Sequence, residues 1–124
     1  MTGQAIVLFA HGARDPRWAA PFEAIAERVR AAAPERAVRL AFLELMAPSL
    51  AEAVDALTAE GARDIDVVPL FLGTGGHLRN DLPRQADACR QAHPQLRLRL
   101  HPPLGEAPDV IEALAQAAIR VTGE

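Results

Sequence analysis

The sequence predicts an α/β protein: a single doubly wound domain with a four-stranded, largely parallel sheet and helices on both faces. Strand-like apolar runs alternate four times with apolar residues at helical spacing, and the connections between them are short. The 124 residues fit one domain, and half of them are hydrophobic, which is enough for one core. We therefore treat residues 1–124 as one domain with the order βαβαβαβα.

The N-terminal half supplies two strand–helix pairs. Residues 4–10 form a continuous apolar run, which is typical of a strand buried on both faces. The next helix is marked by apolar residues at helical spacing, namely Trp18, Phe22, Ile25 and Val29. Residues 37–43 form the second strand. Pro48 and Ser49 begin the second helix, which Gly61 ends.

The C-terminal half repeats the pattern. Residues 64–72 form the third strand, in which Pro69 cannot donate a ladder hydrogen bond, so we expect a bulge or bend there. A third helix is expected over residues 78–92. Residues 96–101 alternate Leu and Arg, which indicates a strand with one wet face at a sheet edge. The last helix is marked by Val110, Ile111, Leu114, Ala118 and Val121.

Composition excludes several classes of protein. The net charge of -3 and the 4% aromatic content argue against nucleic-acid binding. No apolar run approaches the ~20 residues of a membrane span, and the N-terminus does not resemble a signal peptide. The single Cys89 permits no internal disulfide, so we expect a cytoplasmic protein. All 13 basic residues are Arg, a side chain that binds carboxylates and phosphates, although we attribute most of them to compositional bias.

Three candidate metal ligands follow strand-like runs: His11, Glu44 and His77. The carboxyl ends of the strands in an open α/β sheet form one rim, where ligands bind, so we expect these residues to converge. Two imidazoles and a carboxylate can bind a divalent metal or move protons. The structural alternatives are a loop-capping role for His11, a surface position for Glu44 and a helix-start position for His77.

The surroundings of the two histidines favour an acidic ligand. A glycine-rich turn that includes Gly75 and Gly76 precedes His77 and would let a bulky ligand lie against the backbone. It matches no nucleotide-binding motif. Four arginines flank the histidines and are candidates for holding an acidic substrate: Arg14, Arg17, Arg79 and Arg84. Asp15 and Asp81 are expected to orient them or to cap helices.

The other candidate groups are interpreted as structural. His93 precedes Pro94 at the C-terminus of a helix, where the helix dipole alone accounts for a histidine. His101 lies beyond an edge strand, and we interpret it as structural rather than catalytic. Cys89 lies at helical spacing with Leu82 and is interpreted as buried packing.

Three motifs together resemble a known family. AHGARDP, FLELMAPSL and VVPLFLGTGGHLRNDLP, which span most of residues 5–83, resemble the short-form sirohydrochlorin chelatases. These are class II chelatases, related to the cobalt- and iron-inserting enzymes of cobalamin and sirohaem synthesis. The later PPLGEAPDVIEAL resembles the final loop and helix of the family.

The resemblance implies a lyase that inserts Co²⁺, Fe²⁺ or Ni²⁺ into sirohydrochlorin without ATP or an organic cofactor. It implies a chain that is half of a two-lobed chelatase and forms a homodimer. By matching motifs, His11 and His77 would hold the metal and accept the pyrrole protons, with Glu44 as a third metal contact. The metal is then a substrate.

Two other functions remain open. The first is a phosphate-ester hydrolase with His11 as nucleophile, which is disfavoured because Ala10 stands where the histidine phosphatases carry an arginine. The second is a non-catalytic carrier of metal or tetrapyrrole, which would use the same residues as a chelatase.

Overall fold

The computed structural model describes residues 3–73, 75–76 and 78–123. The helices and strands, in chain order, are β1 (Gln4–Ala10), α1 (Ala20–Ala32), β2 (Ala37–Phe42), α2 (Leu50–Ala59), β3 (Asp64–Pro69), α3 (Leu78–Ala92), β4 (Arg97–Leu100) and α4 (Pro108–Val121). A first 3-10 helix (Pro16–Ala19) precedes α1, and a second one (Leu104–Glu106) precedes α4. In the described part of the chain, no helix is both long and apolar enough to cross a bilayer.

The four strands form one parallel sheet in the order β2-β1-β3-β4. The predicted parallel α/β sheet is therefore confirmed, and β4 lies at an edge as its alternating pattern predicted. The chain moves from β1 outward to β2 and then returns across β1 to β3. This reversal of direction creates a switch point next to β1, where the carboxyl ends of the strands open a crevice.

The main core lies between the sheet and the helices α2 and α3. Alternate residues of β1 point to this face, and its central members, Val7 and Phe9, are fully buried. The helices supply buried residues at helical spacing, namely Leu50, Ala53, Val54 and Leu57 from α2 and Leu82, Ala86 and Cys89 from α3. Helix α1 covers the opposite face through Ala26, which packs with Leu8 and Val38.

Helix α2 begins where the sequence predicted. Ser49 forms a capping box with Glu52: the Glu52 amide donates to Ser49 Oγ at 3.1 Å, and the Ser49 amide donates to Glu52 Oε1 at 2.8 Å. Two of the amide donors at the start of the helix are thereby satisfied.

The third strand is shorter than predicted, because it ends at Pro69 rather than at residue 72. The amide of Leu70 still donates to Phe9 O at 2.8 Å, on the β1 side. On the β4 side, pairing stops after Val67, whose oxygen accepts from the amide of His101 at 2.9 Å. Donors alternate between the two sides of a strand, so the next donor toward β4 would be Pro69, which has no N–H. Pro69 therefore ends the strand, and the expected bulge does not form.

Candidate functional site

The backbone ladder between β1 and β2 continues past both strands and brings two candidate ligands together. The amide of Leu43 donates to Ala10 O at 2.9 Å, and the amide of Glu44 donates to His11 O at 3.1 Å. His11 and Glu44 therefore lie side by side on the carboxyl-end rim. Their side chains meet, with 3.1 Å between His11 Nε2 and Glu44 Oε2.

Gly12 makes this approach possible. Its φ of +101° lies in the region that glycine adopts without strain. A Cβ atom at this position would lie 1.9 Å from the main-chain oxygen of Glu44. Gly12 therefore allows the backbone of Glu44 to approach closely.

A third segment supports the His11 ring. Phe71, which is buried and follows β3, meets the imidazole edge to face, with ring centroids 6.1 Å apart and an interplanar angle of 86°. Phe71 was not among the predicted site residues; its apolar position near the end of the predicted strand, residues 64–72, was the available signal. The two polar side chains remain accessible, with 44% of the His11 side chain and 54% of the Glu44 side chain exposed. Phe71 therefore contacts the His11 imidazole on its buried side, while the exposed sides of His11 and Glu44 remain accessible to a ligand.

The spacing of the two polar atoms suits a shared metal ion. Two ligands that each lie about 2.1 Å from an ion are roughly 3.0 Å apart at a right angle and about 3.4 Å apart in a tetrahedron. The observed 3.1 Å lies within that range. An ion can therefore take its place between Nε2 and Oε2 without a large movement of either side chain.

The third candidate ligand, His77, lies outside the described residues. Among residues 3–73, 75–76 and 78–123, no three His, Cys, Asp or Glu side chains come together as a metal-binding group. The described part of the site therefore consists of the His11–Glu44 pair. The metal-binding roles of all three residues stay predictions.

The arginines near the first motif differ in how they are held. Arg17 is bound to Asp15, with 2.9 Å between Nη2 and Oδ2. Asp15 also accepts the Arg17 amide at the start of the first 3-10 helix, and its hydrogen bonds to Arg17 lower its pKa. Arg14 is exposed and forms no ion pair with any residue in the described part of the chain. Arg14 is thus the more available of the two for a ligand.

The candidate residues around the glycine-rich turn lie at the surface. Gly75 and Gly76 are exposed, and a Cβ atom at either would meet no atom within 4 Å among the described residues. Arg79 lies exposed in the first turn of α3. Arg84 pairs with Asp81, so this acidic residue orients an arginine as predicted. Gly75 and Gly76 therefore present their backbone at the surface, next to the start of α3.

The residues interpreted as structural have structural partners. His101 Nε2 lies 2.8 Å from Asp66 Oδ1, and Arg99 Nε donates to the same oxygen at 2.8 Å. The hydrogen bond from Arg99 is the main cause of the lowered pKa of Asp66. His93 Nε2 lies 2.6 Å from Asp55 Oδ1. Cys89 is buried in the main core, and this burial raises its thiol pKa.

The chain is an α/β domain with an open parallel sheet and an accessible imidazole–carboxylate pair on its carboxyl-end rim, the place where open α/β sheets generally bind ligands. Comparison with known proteins identifies which one. The chain belongs to the CbiX family, whose model matches residues 5–121. The resemblance inferred from the three motifs is therefore confirmed.

Two of the relatives are named for different metals, one for iron and one for cobalt. The sirohydrochlorin ferrochelatase of Bacillus subtilis strain 168 is 30% identical over 111 residues, which cover 90% of this chain and 42% of that protein. The sirohydrochlorin cobaltochelatase of Methanopyrus kandleri is 39% identical over 80 residues, which cover 64% of this chain and 56% of that protein. The match thus covers about half of each of these relatives.

Solved structures confirm the predicted fold. The CbiX protein of Marinobacter aquaeolei VT8 superposes with a TM-score of 0.86 at 33% identity, and the match covers 96% of this chain and 97% of that one. The sirohydrochlorin chelatase SirB of Bacillus subtilis subspecies spizizenii, solved in complex with cobalt, gives a TM-score of 0.81 at 29% identity. That match covers 95% of this chain and 50% of SirB. The predicted relation to a chelatase of twice the length is confirmed in this respect.

Proposed function

We propose that this protein inserts a divalent metal ion, Co²⁺ or Fe²⁺, into a sirohydrochlorin-type tetrapyrrole, with the ion as a substrate. The observation that carries the proposal is the accessible His11–Glu44 pair, held at 3.1 Å on the rim of a CbiX-family domain. Relatives are named for iron and for cobalt, so we include both ions as substrates. Ni²⁺ also suits nitrogen and oxygen ligands.

The reaction needs groups that bind a metal and groups that accept protons. Four pyrrole nitrogens replace water on the ion, and the two N–H protons of the macrocycle leave as the product forms. Imidazole is a suitable ligand for these ions, and neutral imidazole accepts protons near neutral pH. We assign metal binding and proton acceptance to His11, with the Glu44 carboxylate sharing the ion.

His77 completes the proposal as the second imidazole. Its assignment rests on the motif VVPLFLGTGGHLRNDLP, because the residue lies outside those that the structure describes. A set of three protein ligands leaves coordination positions open for the incoming macrocycle, as catalytic metal sites generally do. The roles of His11, Glu44 and His77 can each be tested by substitution.

The substrate carries several carboxylates, and the arginines near the rim are suited to them. Arg14 is the best candidate for binding a substrate carboxylate, because it is exposed and forms no ion pair within the described part of the chain. Arg17 and Arg84 would have to share their guanidinium groups between the substrate and their own carboxylate partners. Arg79, Gly75 and Gly76 provide the adjoining surface.

We further propose that two copies assemble, since nearly the whole chain matches only half of the Bacillus subtilis chelatases. A second copy would supply the opposite wall of a cleft for a flat macrocycle. The cytoplasmic location stays a prediction from the single cysteine.

The test is anaerobic absorbance spectroscopy of sirohydrochlorin with Co²⁺ or Fe²⁺ and catalytic amounts of protein. We expect acceleration over many turnovers. His11→Ala should reduce the rate by about 10² or more, the usual contribution of a positioned acid–base group. His93→Ala is the matched control, because it also removes a histidine paired with a carboxylate but lies outside the proposed site. Its rate should stay close to that of the parent.

Other outcomes would identify the alternatives. A spectral change proportional to the amount of protein, without turnover, would support a carrier of metal or tetrapyrrole. Turnover of a generic phosphate ester without any effect on sirohydrochlorin would support the hydrolase. Equal losses in His11→Ala and His93→Ala would remove the assignment of His11.

A further inference from the structure

Two leucines lie exposed on the rim, one on each side of His11. Leu45 follows Glu44 in the loop after β2, and 58% of its surface is exposed. Leu72 follows Phe71 in the loop after β3, and 73% of its surface is exposed. Strand β1, which ends next to His11, lies between β2 and β3 in the sheet. Large apolar side chains therefore flank the polar pair that we propose as the metal site.

The strand pairing places the two leucines at about the same height above the sheet. Continuing the register of β1 with β3 brings Leu72 about level with Gly12. On the other side of β1, the extended ladder brings Glu44, the residue before Leu45, to the same level. Neighbouring strands lie about 4.8 Å apart, so loops on the two sides of β1 are separated by roughly 10 Å. A flat ring of joined pyrroles can bridge loops at this separation.

The conformation of Leu45 is unusual for a leucine. Its φ is +67°, and among the described residues it is the only one other than glycine with a positive φ. The amide of Met46 donates to Glu44 O at 2.8 Å, which closes a γ-turn with Leu45 at its centre. A γ-turn with a positive φ at its centre is rare and strained. Glycine or asparagine would adopt the positive φ with less strain than leucine.

Contacts within the chain do not account for a leucine at this turn. The turn directs the chain back after Glu44, whose carbonyl oxygen is the atom that Gly12 approaches. That function needs no side chain at residue 45, and most of the leucine lies in solvent. Strained residues persist mainly at active sites and at places that clamp a ligand. The side chain of Leu45 therefore indicates a contact with a molecule outside the chain.

Leu72 is held by its backbone and leaves its side chain in solvent. The amide of Gly105 donates to Phe71 O at 2.8 Å. A Cβ atom at Gly105 would lie 2.1 Å from Leu72 O, so the second 3-10 helix is seated tightly against this backbone. Phe71 is buried beside His11, whereas Leu72 is exposed. The loop after β3 is thus fixed by the 3-10 helix and presents one apolar side chain at the rim.

We propose that Leu45 and Leu72 bind the apolar face of the tetrapyrrole, so that the ring lies across the rim with its nitrogens over the His11–Glu44 pair. These contacts rest on the proposed function and give the site its apolar recognition surface. The macrocycle has a flat apolar face and carboxylates at its edge. The leucines lose water when the face docks on them, and arginines such as Arg14 bind the carboxylates.

A second copy of the chain is the other candidate for covering the two leucines. A protein surface seated on both of them would also cover His11 and Glu44, which lie between the two loops. The pair would then be closed to a metal ion, whereas 44% of the His11 side chain is exposed. A flat ring instead covers the leucines and brings its own metal-binding nitrogens to the pair.

Leu45→Asn separates a role in ligand binding from a role in folding. Asparagine tolerates a positive φ better than leucine, so the urea midpoint should not fall. The Kd for metal-free sirohydrochlorin should rise about tenfold, because the apolar surface of the leucine would no longer leave water on binding. Anaerobic absorbance titration measures this Kd. The affinity for Co²⁺, measured by competition with a chromophoric chelator, should stay at the parent value because leucine is not a ligand.

Three further variants complete the test. Leu72→Ala should raise the same Kd about as much as Leu45→Asn. Leu45→Met should keep the parent Kd, because methionine restores an apolar side chain of similar volume. Ile25→Ala is the matched control, because it removes a partly exposed aliphatic side chain from α1, outside the rim, and it should also keep the parent Kd.

Several results would overturn the contact. A parent Kd in both Leu45→Asn and Leu72→Ala would show that the ring does not rest on these side chains. A change of mass by light scattering, with the parent Kd kept, would place the leucines between copies of the chain. A loss of Co²⁺ affinity in Leu45→Asn as large as its loss of sirohydrochlorin affinity would show that residue 45 acts only through the position of Glu44.

The binding readout also separates these contacts from the proposed activity, because it needs no turnover. A protein that binds sirohydrochlorin through the two leucines but inserts no metal would overturn the activity and support the contacts. Metal insertion with the parent Kd in both leucine variants would overturn the contacts and leave the activity in place. A parent protein that does not bind sirohydrochlorin would overturn both.

Discussion

Gly12 touches the main-chain oxygen of Glu44 so closely that a Cβ atom at residue 12 would lie 1.9 Å from it. The loops after β1 and β2 therefore meet backbone to backbone. This contact places the Glu44 carboxylate 3.1 Å from the imidazole of His11. The glycine thus acts on the candidate site through the position of the acidic residue, without a side chain of its own.

Gly12→Ala should therefore damage both stability and the site. Gly61→Ala is a matched control, because Gly61 has nearly the same φ (+103°) but no atom within 4 Å of an added Cβ among the described residues. The control should lose about 1–2 kcal/mol from the left-handed conformation alone. Gly12→Ala should lose more than this and should bind Co²⁺ more weakly. Urea denaturation and metal titration measure the two effects, and equal losses of stability would contradict the steric argument.

Glu44→Gln should weaken metal binding while the fold is kept. The amide can still hydrogen-bond to His11, but the negative charge that would face the ion is removed. We expect the affinity for Co²⁺ to fall at least about tenfold, as measured by competition with a chromophoric chelator. Glu60→Gln is the control, because Glu60 pairs with Arg39 at 2.6 Å outside the proposed site. Parent-like affinity in both variants would remove Glu44 from the ligand set.

The sequence predicted those features that depend on local pattern. Continuous apolar runs identified the buried strands, and the alternation in residues 96–101 identified the edge strand. The convergence of His11 and Glu44 followed from the common rim of a parallel sheet. Each of these inferences needs only the period of the pattern and the topology of an α/β fold.

Features that depend on contacts between distant segments were not predictable. The end of β3 at Pro69 depends on which neighbouring strand the missing N–H of that residue would face, and this follows from the pairing of β3 with β4. The contact of Phe71 with His11 depends on the path of the loop after β3. The exposure of α4 was also unforeseen, because its spacing predicts a helix with an apolar face but does not say which molecule covers that face.

Arg14 and Arg17 should differ in their effect on the substrate. Arg14 forms no ion pair in the described part of the chain, whereas Arg17 is bound to Asp15. Arg14→Ala should raise KM for sirohydrochlorin several-fold and leave kcat nearly unchanged, because the side chain binds substrate without taking part in the chemistry. Arg17→Ala should raise KM less. Steady-state kinetics of the two variants measure this difference in KM. A larger rise in KM for Arg17→Ala would show that Arg17, and not Arg14, is the main substrate-binding arginine.

Asp66 should make stability depend on pH in the acid range. The hydrogen bond from Arg99 lowers its pKa in the folded state, while in the unfolded chain an aspartate titrates near about 3.9. The stabilising contribution is therefore fully present above the unfolded pKa. It is lost as the pH falls through the lower folded pKa, because the unfolded state binds its proton first.

Asp66→Asn should remove this dependence. We expect a loss of about 1–2 kcal/mol at neutral pH, the usual magnitude for a hydrogen bond to a charged group, and a smaller difference from the parent below about pH 4. Asp87→Asn is the control, because Asp87 forms an exposed ion pair with Arg90, and such pairs contribute little. Urea denaturation from pH 7 to pH 3, at one protein concentration, measures both variants. If the gap between parent and Asp66→Asn stays constant down to pH 3, the ion pair with Arg99 does not account for the acid sensitivity of the fold.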